Sequence, residues 1–154
     1  MKIEKRDNID GKYKWRLEDI VASDDEWEKL YSECKTLGDQ IVKFDGRLSD
    51  EDGIFECLRF DDALNQKLER LYVYAKMRKD EDCSVEKYLS MTDRANMLLV
   101  DLSEKAAFIQ PQLSENSAQF LTSLAAKARF SDYSYSLELL AKNKEHTLSS
   151  KEET

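Results

Sequence analysis

Few residues in this chain have the types and spacing that carry chemistry. The sole histidine, His146, lies in the closing stretch KEHTLSSKEET. The cysteines are Cys34, Cys57 and Cys83, and an acidic run of Asp50, Glu51 and Asp52 leads into Gly53. A di-iron helical bundle needs Glu-x-x-His pairs, and the residue three before His146 is Asn143. A zinc peptidase helix needs two histidines one turn apart with a glutamate between them, which a single histidine cannot supply. A calcium loop with Gly53 in its sixth place would put Leu48 first and Arg59 twelfth, where carboxylates are required.

Nucleophilic catalysis fares no better. A serine would need His146 as its base, yet that residue stands between Glu145 and Thr147 in a polar stretch and reads as an exposed linker histidine. The cysteines form no C-x-x-C pair and are odd in number, which predicts reduced, mostly buried thiols rather than disulfides or redox centres. No glycine-rich phosphate loop occurs. The sequence therefore assigns no catalytic, cofactor-binding or metal-binding residue in this chain.

Composition says what would have to position any site. One proline and four glycines in 154 residues leave too few turn signals for a sheet protein, so long helices are expected. A net charge of −8 argues against nucleic acid, which selects a basic face. The apolar runs, such as LYVYA and MLLV, are too short to span a bilayer, and a cytoplasmic protein is expected.

Apolar spacing resolves these expectations into helices. Ser23 followed by Glu26 is a capping-box pattern, and Trp27, Leu30, Tyr31, Cys34, Leu37, Ile41 and Phe44 then recur at helical steps until Gly46 supplies a stop. A second helix starts at Ser49 and runs to about Arg78, slightly weakened by Gly53. A third covers 84–109 and ends at Pro111, a fourth covers 114–129, and a fifth covers 132–144 with Tyr135, Leu137, Leu139 and Leu140 inward. The tyrosines are assigned mainly to the core, with Tyr74 the exception because it falls between stripe positions. The expected fold is an all-α antiparallel bundle or array of about five helices, including a long coiled-coil-like hairpin. Its parts are an extended amino-terminal segment (1–22), a helical domain (23–144), and a linker with a helix start (145–154), where Ser149 with Glu152 or Ser150 with Glu153 repeats the capping pattern.

Several stretches, in order, resemble one family. YKWRLEDIVASDDEWEKLY carries W-x-L-x-D-I and then D-x-x-W; FDGRLSD follows; LERLYVYAKMRKDED holds Leu-Tyr-x-Tyr-Ala, an acidic turn and then Tyr88; FIQPQLSE and KEHTLSSKEE complete the set. Together they resemble the amino-terminal region of oligoendopeptidase F, a zinc metallopeptidase family related to thimet oligopeptidase. The resemblance implies a largely helical protein with a deep channel, and a catalytic H-E-x-x-H segment far downstream of the stretch seen here. It therefore implies truncation before the catalytic half, no cofactor in this chain, and zinc in the missing part. That zinc would polarise the scissile carbonyl and activate a water, with the glutamate as general base. The implied partners are the missing catalytic half and oligopeptide substrates, with neither nucleic acid nor membrane.

Two functions follow. One is a helical channel wall of an oligoendopeptidase, not catalytically competent alone, with an exposed apolar patch where the catalytic half docks. The other is a freestanding acidic helical interaction module without enzymatic activity.

Overall fold

The computed structural model describes residues 8–144, and among these every regular element is helical. The helices are α1 (Asp24–Gln40), α2 (Glu51–Glu81), α3 (Glu86–Ala106), α4 (Ile109–Glu115), α5 (Ala118–Ala125) and α6 (Ser134–Asn143). Short 3-10 turns occupy Gly11–Tyr13, Leu17–Asp19, Ile41–Phe44 and Ala128–Tyr133. The all-α fold among the described residues, with two long helices, α2 and α3, joined by a short link, is as the spacing predicts.

The described chain forms two compact units. The first holds 8–42 with Asp61–Lys105, and the second holds Lys43–Phe60 with 106–144. Helix α2 is continuous through the boundary, so one helix contributes to both cores.

In the first unit the Ser23 hydroxyl accepts the Glu26 backbone N–H at 3.2 Å, which starts α1. Glu26 spends its carboxylate on Lys29 at 2.6 Å, one turn along. The buried face of α1 carries Trp27, Cys34 and Gly38, and an alanine methyl at Gly38 would come within 1.8 Å of the Leu102 side chain. Helix α3 buries Met91, Ala95, Leu98 and Leu102.

In the second unit the chain turns at Gly46, whose φ of 75° lies in the left-handed region that favours glycine. The cap of α2 is Asp50 rather than Ser49: its carboxylate accepts the Gly53 N–H at 2.9 Å and its carbonyl accepts the Ile54 N–H. Helices α5 and α6 pack on each other. Phe55 meets Phe130 edge-on at 5.3 Å, and Phe44 meets Phe60 at 5.4 Å.

Three expectations change. Helix α3 stops at Ala106, and Pro111 lies in the first turn of α4, where its missing N–H has no intrahelical acceptor to lose. Instead of one helix over 114–129, extended backbone at Asn116 and Ser117 separates α4 from α5, and Ser117 caps the latter. In α6 the buried positions are Leu137 and Ala141, while Tyr135 and Leu139 are exposed. Residues 135, 137 and 139 alternate, and a helix cannot hold alternating positions on one face.

Candidate functional site

A group of polar side chains gathers in the first unit around Asp24, the first residue of α1. Its carboxylate accepts the Tyr74 hydroxyl of α2 at 2.7 Å and the Tyr88 hydroxyl of α3 at 3.3 Å, and pairs with Lys87 at 2.7 Å. Partial burial pushes its carboxyl up, but these three donors outweigh that and hold it below the ordinary carboxylate range. Burial, with the Asp24 carboxylate alongside, pushes the Tyr74 hydroxyl up to about 12, so it stays protonated and donating. Tyr74 is fully buried, contrary to the expectation that it stands apart from the core. It lies one turn beyond Leu71, with its hydroxyl on Asp24 of α1 and the Arg78 guanidinium over its ring.

Beside this group the Arg78 guanidinium lies 5.2 Å from the Tyr74 ring and reaches Glu18 at 2.8 Å. Further along, Arg94 makes a two-pronged pair with Glu28 at 2.6 and 2.7 Å and lies over Tyr31 at 4.4 Å and Trp27 at 5.0 Å. The Trp27 indole donates to the Leu71 carbonyl at 2.8 Å. Arg70 donates twice to the Ile20 carbonyl, at 2.7 and 3.1 Å.

The second unit has a smaller polar junction. The Gly46 N–H donates to the Gln112 side-chain oxygen at 2.9 Å, the Gln112 amide donates to Asp45, and the Asn116 amide donates to the Leu48 carbonyl at 2.7 Å. Gly46, Leu48, Ser49, Gln112, Glu115 and Asn116 line an open cleft of about 260 Å³ here. The acidic run resolves into structure: Asp50 caps α2, Glu51 pairs with Lys127 and Arg129, and Asp52 pairs with Arg129 at 2.7 Å.

What this arrangement can do is hold helices. Burial pushes the Cys34 thiol up to about 11, so it is not a thiolate nucleophile at neutral pH; Cys57 is buried and Cys83 exposed. Among the described residues no group of three or more His, Cys, Asp or Glu could hold a metal ion. His146 and the closing capping pattern lie outside the described residues.

The chain is 33% identical over 150 residues to oligopeptidase PepF of Bacillus subtilis. It is 32% identical over 150 residues to group B oligopeptidase PepB of Streptococcus agalactiae, and 30% over 151 to a plasmid-borne oligoendopeptidase F of Lactococcus lactis. The chain matches a segment of the oligoendopeptidase F proteins. Each alignment takes in 96% of this chain but only 22–25% of the relative, so the chain spans about a quarter of those proteins' length. No family model matches it. A solved Chlamydophila abortus protein described as a candidate peptidase shares the fold, with a TM-score of 0.80 at 18% identity over 99% of this chain and 26% of its own.

Four of the five stretches that carry the resemblance to oligoendopeptidase F meet in pairs among the described residues. Asp24 and Trp27 of the D-x-x-W stretch bond Tyr74 and Leu71 of Leu-Tyr-x-Tyr-Ala, and Tyr88 joins at the same carboxylate. In the second unit FDGRLSD meets FIQPQLSE through Asp45, Gly46 and Gln112, and Asn116, the next residue along, bonds the Leu48 carbonyl. Sequence reasoning missed these pairings because each half is polar and local in sequence. The only available signal was the co-occurrence of the motifs.

Proposed function

We propose that this chain serves as the amino-terminal helical part of a cytoplasmic, oligoendopeptidase F-like zinc metalloendopeptidase, forming part of the wall of its peptide channel. The observation that carries the reading is alignment across 96% of the chain with oligopeptidases about four times as long. In support, the motif pairs act as joints between helices, as a rigid wall requires. The described residues do not fit zinc, so no step of metal chemistry runs through them. Zinc and the hydrolytic groups belong to sequence that would accompany this segment. Among the described residues no helix is long and apolar enough to cross a membrane.

The test is a chimera in which this chain replaces the matching 150 residues of the Bacillus subtilis oligopeptidase. The chimera should cleave a quenched fluorescent oligopeptide in a chelator-sensitive manner, and the 154-residue chain alone should not. Chelator-sensitive cleavage by the chain alone, or a folded but inactive chimera, would overturn the proposal.

A further inference from the structure

Helix α3 has a second apolar face that the described chain leaves open. Leu89, Met97 and Val100 are 43%, 71% and 60% exposed, opposite the buried Met91, Ala95, Leu98 and Leu102. At about 100° per residue, Leu89, Val100 and Met97 fall in one sector of roughly 80°, and Glu86, Asp93 and Glu104 fall in the same sector. All three carboxylates are exposed, and none makes an ion pair among the described residues. The cations of α3 are committed elsewhere: Lys87 to Asp24, Arg94 to Glu28, and Lys105 to Asp39 and Asp101. The open face therefore pairs an apolar stripe with uncompensated negative charge.

We infer that this face of α3 docks an amphipathic helix carrying Lys or Arg beside an apolar stripe, supplied by the remaining three-quarters of an oligoendopeptidase F-like polypeptide. The inference rests on the proposed function and adds the surface and the chemistry of its partner. A second copy of this chain is the poorer occupant, because it would set Glu86, Asp93 and Glu104 against the same carboxylates. A basic helix neutralises them while covering Met97 and Val100. The relatives supply the length for it, since 22–25% of each is matched here.

Methionine oxidation reads the contact directly. In the 154-residue chain Met97 should oxidise readily while buried Met91 is slow. In the chimera described above, Met97 oxidation should fall on the order of tenfold. The charge reversals E86K, D93K and E104K, made together, should restore fast oxidation of Met97 without exposing Met91. An active chimera in which Met97 still oxidises freely overturns the inference and leaves the proposed function standing. A folded but inactive chimera, in which Met91 stays slow, overturns the functional reading and the inference with it. Protection that survives charge reversal overturns the basic partner. Protection in the isolated chain that vanishes on dilution assigns the face to a second copy instead.

Discussion

The two units are built from the same kind of helix but joined by different means. In the first, whole side chains cross between helices: Trp27 reaches the Leu71 carbonyl, Tyr74 and Tyr88 converge on Asp24, and Arg94 grips Glu28. In the second, side-chain amides of α4 and of the residue that ends it hold backbone groups of a turn, through Gln112 to Gly46 and Asn116 to Leu48. Long helices leave few backbone groups free, so most of the joints in the first unit are made by side chains that reach across. A unit with short helices and frequent ends has orphan carbonyls and N–H groups to use.

Large truncations test that contrast first. Trp27→Ala removes a fully buried indole and its hydrogen bond, and Phe130→Ala removes a fully buried ring, so each should cost about 3–5 kcal/mol in denaturant unfolding. If Phe130→Ala proved nearly silent, the second unit would not depend on its aromatic core, and the parallel would fail.

The glycines sharpen it. A methyl at Gly53 would sit 2.0 Å from the Arg47 carbonyl oxygen, a backbone atom that cannot turn aside. Gly53→Ala should destabilise by about 3 kcal/mol despite the better helix propensity of alanine. Gly38→Ala meets only the Leu102 side chain, which can repack, and should cost about 1 kcal/mol. The reverse order in thermal or urea unfolding would show that the α2 start is softer than the α1–α3 contact.

The Asp24 junction comes next. Asp24→Asn should cost about 2 kcal/mol at neutral pH, since a charged acceptor of several donors is lost. Because its folded pKa lies below the unfolded value, its contribution is present above about pH 4 and fades as pH falls through the folded value, where the unfolded chain binds the proton first. The substituted protein should show a shallower loss of stability in that acid range; an unchanged slope would count against the junction. Asp61 has the opposite sign. Burial pushes its carboxyl up, so its ionisation opposes folding and Asp61→Asn should be neutral or slightly stabilising at pH 7.

The smallest effect is shared by both units. Ser23→Ala and Ser117→Ala each delete a side-chain cap and should each cost about 1 kcal/mol by urea titration. A several-fold difference between them would show that one helix start is held by packing rather than by its cap.

Helix type, the Ser23 cap and the apolar faces of α1 and α3 were legible in the sequence, because helical spacing and capping are local properties of the chain. The two long helices α2 and α3 and their short link followed from the short polar break between two long patterns. Local pattern also excluded familiar metal and nucleophile motifs without any structure.

Tertiary structure alone decided the rest. It put Tyr74 inside, with its hydroxyl on Asp24 and Arg78 over its ring, and it gave Gly53 a purpose, the close passage of the Arg47 carbonyl, where propensity saw only a weakness. It broke 114–129 in two at Asn116, whose backbone is extended and whose amide bonds the Leu48 carbonyl. It also joined motifs lying tens of residues apart into single junctions. Spacing along a chain fixes which face a residue takes on its own helix. Which other helix meets that face, and which polar groups the meeting leaves to be satisfied, depends on contacts distant in sequence that no local window contains.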